Sequence, residues 1–271
     1  MSQSVTAIII THNSEKYIVK CVEKLRSQSY PIEEIIIVDS GSLNQDYLNR
    51  FRNDQDVQLI AINNVGFARA NNVGFKQKGL SSDFLLLLNP DTFLDDDFVK
   101  KSVVIMNRDT KVGLLSGRLL GFDISNNRGT GKIDSTGIFR KFYGRWYDRG
   151  HNETDSGQFS EEEYVPALCG ALLFCRIKAL KCFNDKIFDP DFFLYKEDID
   201  FSLRIRKQGW NLLYTPDLIA YHCRGWSRRE NVPYLLRKKA AESEILLYKK
   251  HPSPYIIWAL LKYVAVVLMR M

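Results

Sequence analysis

Cysteine is scarce in this 271-residue chain: Cys21, Cys169, Cys175, Cys182 and Cys223 are all there is, with no C-x-x-C pair. That excludes a disulfide scaffold and a cysteine-rich zinc module, and predicts free thiols in a reducing compartment. The opening MSQSVTAIII lacks a basic n-region, a long apolar run and a small-residue cleavage site, so it does not read as a signal peptide. No G-x-G-x-x-G follows the first apolar run, where a dinucleotide-binding fold needs it. No repeat or low-complexity stretch is present, and 45% hydrophobic with 26% charged residues exclude a disordered chain. The most apolar segment, Tyr255–Met271, has 17 residues interrupted by Lys262 and Arg270. As a helix it would cover about 25 Å, short of a ~30 Å hydrocarbon core.

Surplus charge is also missing from most of the chain. The formal net charge is +6, yet from Arg224 onward ten Lys/Arg face three Glu, a net of +7. Residues 1–223 hold 28 basic and 29 acidic residues. A nucleic-acid-binding domain carries its positive charge on the folded body, so that class is excluded. A basic, apolar tail fits a helix lying in the interface of an anionic membrane. Docking on the chain's own core, or an oligomer contact, is the alternative.

What is present is alternation. Val5–Ile10, Ile35–Val38, Val57–Ile62 and Phe84–Leu88 read as strands, and Glu15–Ser27 and a segment from Ala68 as helices. Strands apolar throughout and separated by helices predict a parallel sheet covered on both faces, an α/β fold. Each strand stops at a small polar cluster: Thr11-His12-Asn13, Asp39-Ser40-Gly41-Ser42, Asn63-Asn64 and Asn89-Pro90-Asp91-Thr92. In open α/β sheets, ligands bind outside the carboxyl ends of the strands. From Gly121 to Tyr164 the periodicity loosens, which predicts a meandering, mobile region over the sheet. A helix is predicted from Glu197 to Gln208, ended by Gly209. Trp210–Tyr214, Pro216 and Leu218–His222 read as a turn and a last strand, and Tyr234–Lys250 as a basic amphipathic helix.

Three features carry chemistry. Asp91, in an oxygen-rich turn, suits a hard divalent cation shared with a diphosphate, though Asn-Pro-Asp also makes an ordinary turn. Glu197, Asp198 and Asp200 open a helix, where the dipole favours acids, and an ionised carboxylate there can take a proton from a hydroxyl. His222 ends an apolar strand as a structural group or a metal ligand.

Taken in order, the motifs AIIITHN, IIIVDSGS, NNVGFARANNVGF, LLLLNPDT, FDPDFFLYKEDIDFSLRIRKQGW and PDLIAYH resemble those of inverting glycosyltransferases of family 2. The resemblance covers roughly residues 5–227. It implies the GT-A fold, a Rossmann-like, mostly parallel sheet flanked by helices. Residues 1–227 would form the catalytic domain, its nucleotide-sugar half ending near residue 115, with 228–271 a helical tail. It implies that Thr11, Asn13, Asp39, Asn64, Gly66, Arg69, Asn89 and Asp91 bind the nucleotide sugar, with Asp39 accepting from the base. Asp91 and His222 would hold Mn2+ or Mg2+, Asp198 would be the general base, and Gly170, Ala171, Glu197 and Trp226 would meet the acceptor. Arg224, Arg228 and Arg229 would close over the diphosphate.

Asn89 stands where the family's metal-binding D-x-D has its first Asp, a departure shared with the rhamnosyltransferase-like branch, which GKIDSTG also resembles. The processive-synthase motif Q-x-x-R-W is absent, so the resemblance implies addition of a single sugar. The donor would be a dTDP- or UDP-sugar, and the acceptor a glycan or lipid-linked glycan. The protein would be cytoplasmic, on the membrane's inner face through its tail. A polyprenyl-phosphate glycosyltransferase and a non-catalytic sugar-nucleotide or glycan-binding module remain as alternatives.

Overall fold

The computed structural model describes residues 3–78, 81–224 and 232–268. Strand β1 (Val5–Thr11) is buried at all seven positions, as expected of a strand covered on both faces. It leads to helix α1 (Ile18–Arg26), which buries Ile18, Cys21, Val22 and Leu25 along one side. This helix starts three residues later than the sequence predicts. The Ser14 carbonyl accepts from the amides of both Tyr17 and Ile18, making a tight turn first. Then come β2 (Glu34–Ser40), β3 (Val57–Ile62), α2 (Phe67–Lys78), β4 (Phe84–Leu88), β5 (Thr92–Leu94) and α3 (Phe98–Arg108). Strands β3, β2, β1 and β4 pair in that order, all parallel.

The second half turns this into a mixed sheet. It comprises β6 (Val112–Asp123), β7 (Arg128–Ser135), β8 (Ile138–Arg140), β9 (Trp146–Asp148), β10 (Glu163–Tyr164), β11 (Leu172–Arg176), α4 (Ile177–Leu180), α5 (Glu197–Lys207) and β12 (Asn211–His222). Strand β11 lies antiparallel between β4 and β6, and β12 runs parallel to β6 on its far side. The stretch from Gly121 to Tyr164 is built β-structure: β6 continues into it, β7 pairs back on β6, and β8 with β9 form a separate hairpin. Three-residue strands and a bulged partner leave no periodicity to read, which is why the sequence predicted a meander there.

The last strand is also more continuous than predicted. Pro216, which has no N–H to give, is accommodated by a bulge in which Thr215 pairs with Gly117 and Ile219 with Arg118. Opposite it, a β-carbon on Gly117 would lie 2.1 Å from the Leu218 carbonyl oxygen, so only glycine fits.

Helices α6 (Tyr234–Lys250) and α7 (Ile256–Leu268) complete the chain. They match the predicted tail but are tied to the body. Ser243 donates to the Leu194 carbonyl (2.7 Å), Tyr248 to that of Gly144 (3.0 Å), and Lys250 pairs with Asp189 and Asp191 (2.8 Å each).

A close backbone approach is among the contacts that join the two halves. Gly66, with φ +82°, and the Phe67 amide rest on Phe193, whose carbonyl accepts from Phe67 N at 2.8 Å. A β-carbon at Gly66 would lie 2.3 Å from that carbonyl oxygen. Gly66→Ala combines left-handed backbone with a clash and is expected to lower stability by about 1–3 kcal/mol. Equilibrium urea unfolding checks this, and an unchanged midpoint would refute it.

Candidate active site

The ends of β4, β12 and α5 surround a cleft of about 270 Å³, whose lining includes Asn89, Gly170, Ala171, Glu197, Asp198, His222, Tyr147, Asp148 and Arg224. The Asn89 amide donates to the Ala171 carbonyl (3.0 Å), and the Cys223 amide to that of Asp91 (3.0 Å). His222 pairs across with Thr92 in the sheet. The Asn-Pro-Asp turn is thereby held between β11 and β12, with His222 Nε2 3.3 Å from Asp91 Oδ1.

Behind His222 sits Asp134, fully buried at the end of β7. His222 Nδ1 donates to Asp134 Oδ2 at 2.8 Å, and Arg224 Nη1 lies 3.1 Å from Asp134 Oδ1. Arg224 also donates to Asp148 (2.9 Å), and His151 to the Asp134 carbonyl (3.1 Å). Burial alone would raise the Asp134 carboxyl; hydrogen bonds from His151 and His222, with the Arg224 charge, hold it well below the usual range. Burial would likewise lower the His222 imidazole, but Asp91 and then Asp134 carry it up to about 9.

The carboxylates of α5 enter through strained backbone. Tyr195 and Lys196 both have left-handed φ, +71° and +69°, a conformation worth about 1–3 kcal/mol of strain each. It turns the chain so that Glu197 and Asp198 face the cleft. Asp198 accepts from the amides of Gly170 (Oδ2, 3.1 Å) and Ile199 (Oδ1, 2.8 Å). Glu197 is buried, and its Oε2 has no partner. Desolvation, then the neighbouring Asp198, push Glu197 up to about 8. Asp198 is raised by burial too, with the Gly170 amide opposing. Two amide donors favour the ionised form of Asp198, whereas Glu197 has its own amide alone and a buried Oε2 without a partner.

Among the described residues, no cluster of three His, Cys, Asp or Glu side chains makes a complete metal cage. The residues at the turn do suit a partly protein-held divalent ion. His222 would offer Nε2 once a bound cation displaced its proton, and its other nitrogen donates to a carboxylate, the arrangement usual behind metal-ligating histidines. Asp91 adds a carboxylate, and the buried side-chain oxygen of Asn89 lacks any partner.

The nucleotide side differs in detail from what the sequence implies. Asp39 faces a second recess of about 360 Å³, with Gln45, Leu48, Arg52 and Leu59. Its oxygens already accept from Thr11 Oγ1 (3.1 Å), the Ser42 amide (3.1 Å) and hydroxyl, Gln45 (2.8 Å) and Tyr47 (3.2 Å). Asn13 accepts from the Leu43 amide and Asn64 from the Gly66 amide, so both shape loops at the strand ends. Arg69 does not line the cleft; it is exposed and donates to the Pro190 carbonyl at 2.8 Å. Arg224, expected in a mobile lid, is fixed between Asp134 and Asp148. Arg228, Arg229 and Trp226 lie outside the described residues.

Asp134, Asp148 and His151 were not singled out by sequence. The signal available was Asp134 within GKIDSTG. Because folding favours the protonated form of Glu197, its contribution to stability is full below the ordinary 4.5 and is lost as pH rises towards about 8. Glu197→Gln is therefore expected to flatten the fall in stability between about pH 5 and pH 8, and to exceed the native chain at the upper end. Urea unfolding at several pH values checks this; parallel pH profiles would refute it.

A sequence model described as Glycosyl transferase family 2 matches residues 6–183, ending before α5. One curated relative is the dolichyl N-acetyl-alpha-D-glucosaminyl phosphate 3-beta-D-2,3-diacetamido-2,3-dideoxy-beta-D-glucuronosyltransferase of Methanococcus voltae. It is 24% identical over 227 residues, which cover 80% of this chain and 65% of that one. Rhamnosyltransferase WbbL of Escherichia coli K12 is 25% identical over 222 residues, covering 79% and 81% respectively. The crystal structure of GalNAc-T7 with UDP, GalNAc and Mn2+ superposes with a TM-score of 0.66 at 15% identity, covering 98% of this chain and 57% of that one. That likeness shows the fold, which is GT-A. With the family model matching more than half of its length, the chain belongs to glycosyl transferase family 2.

Proposed function

We propose that this protein transfers one sugar, with inversion, from a nucleotide-sugar donor to a hydroxyl of a glycan or lipid-linked glycan in cell-surface polysaccharide synthesis. The observation that carries the reading is Asp198 lining the cleft with two amide donors, which favour its ionised form, beside a buried Glu197 that desolvation pushes up to about 8. An ionised carboxylate at that place takes the proton from the acceptor hydroxyl as its oxygen attacks the anomeric carbon. Attack from the face opposite the leaving group inverts configuration. Neutral Glu197 is a hydrogen-bond donor towards a sugar hydroxyl. Asp39 would take the donor base by exchanging Gln45, its exposed partner.

A divalent ion, Mn2+ or Mg2+, would be held by Asp91 and His222, with the Asn89 oxygen close by, and when bound offsets the charge that builds on a diphosphate leaving group. Asp134 fixes the orientation of His222 for that task. The narrower reading, rhamnose from a dTDP donor, draws on the similarity to WbbL. The lipid-linked saccharide in the Methanococcus relative's name supports an acceptor of that type.

Asp198→Asn is expected to lower the transfer rate about 10²–10⁴-fold while leaving donor affinity unchanged. Near-intact transfer would instead identify an acceptor needing no base, such as a polyprenyl phosphate. A thermal-shift panel of nucleotide sugars is expected to give stabilisation by one donor that requires Mn2+ or Mg2+. Silence from every donor would overturn the reading.

A further inference from the structure

Helix α7 is apolar nearly all the way round, yet the chain covers only one side of it. Ala259 and Val266 face inward, and its one charge, Lys262, is paired with Glu244 of α6. Ile257, Trp258, Leu260, Leu261, Val264 and Leu268 are between 45% and 77% exposed. A helix of that composition is ordinarily buried, and an apolar patch of that extent marks a contact surface.

A second element, distant in sequence, extends the patch. The Tyr255 ring, just before α7, stands 5.3 Å from that of Tyr248 and 5.8 Å from that of Tyr143, which in turn meets Phe142 edge-on at 5.1 Å. Phe142 is 100% exposed at the tip of the β8–β9 hairpin. Arg140, Lys141 and Arg145 flank it, all exposed, and the tip holds no acidic residue. Nothing in the packing of the hairpin calls for an aromatic ring in water.

We propose that the β8–β9 tip and the outer face of α7 form one docking surface for an anionic phospholipid bilayer. Aromatic and aliphatic side chains enter the headgroup boundary, and the three cations meet lipid phosphates. Trp258 is the type of side chain that settles at that boundary. Among the described residues no helix is long and apolar enough to cross a membrane, so the contact is peripheral. A second copy of the chain fits less well, because it would bring the same unopposed cations to the tip.

The hairpin has a further use. Its base carries Ile138, Tyr147 and Asp148 into the cleft, about three strand residues, or roughly 10 Å, from the tip. A docked tip would hold the cleft near the headgroups, within reach of a lipid-linked acceptor. Only this last step rests on the sugar-transfer reading; the bilayer contact stands apart from it.

Co-sedimentation of the full chain with phosphatidylcholine vesicles, with and without phosphatidylglycerol, tests the surface. The anionic vesicles are expected to take up the chain at least about tenfold better, with loss of binding at high salt. Phe142→Ser combined with Trp258→Ser is expected to reduce uptake about tenfold or more, with an unchanged unfolding midpoint because both side chains are exposed. Equal partition into both vesicle types, or undiminished uptake of the double variant, would overturn the proposal. So would a stable dimer that the same two substitutions dissociate. Asp198→Asn should bind vesicles as the native chain does, so failure of transfer and failure of docking are read separately.

Discussion

The hydrogen bonds that β11 makes along both of its edges, to β4 through Leu172 and Leu88 and to β6 through Phe174 and Leu115, weld an all-parallel half to a mixed one. Running antiparallel, β11 starts where β4 ends. Gly170 and Ala171 therefore arrive directly beside Asn89. From that side the Gly170 amide reaches Asp198. On the other side of β6, parallel β12 delivers His222 back to the same level, opposite Thr92. Residues more than a hundred positions apart meet because three strand ends coincide, and strand register is fixed wherever both faces are buried.

Around the cleft, three acidic groups are kept from water in three different ways. Asp134 is fully buried and is compensated by cations, His222 and Arg224 with His151 nearby. Asp198 is held by peptide dipoles. Glu197 has its own amide alone, and desolvation pushes it up to about 8. Desolvation penalises all three alike, so what separates them is the neighbour each one finds. That difference sets two adjacent carboxyls of one helix apart.

The regular parts of this arrangement were legible in the sequence. Val57–Ile62 and Phe84–Leu88 were bounded correctly, as was the start of α5 at Glu197, because buried strands and amphipathic helices announce themselves by period. The stretch between Gly121 and Tyr164 was not, since its strands are two or three residues long or, like β7, paired through register shifts, and show no clear period. Asp134 stood within a quoted motif, but its partner lies 88 positions away and only the sheet brings them together. Arg69 illustrates the converse: its place in a family-like motif was plain, but that its Nε–H would be given to the Pro190 carbonyl was not. Only the family resemblance, not the residue pattern, separated Asp198 from Glu197. The deciding amide belongs to Gly170.

The tail looked like a removable appendage when read as charge, and its hydrogen bonds say otherwise. His251, in the turn between α6 and α7, meets Asp200 Oδ1 at 2.8 Å, while Arg204 holds Oδ2 at 2.7 Å. Asp200 is buried two residues beyond Asp198 on the same helix. Detaching α6 and α7 would leave that carboxylate with Arg204 and without His251. The tail and α5 therefore form one packed unit, in which Asp200 is shared between its own helix and the turn before α7. A chimera that grafts this catalytic core onto another carboxyl-terminal extension must carry a histidine, or an equivalent donor, to the same spot.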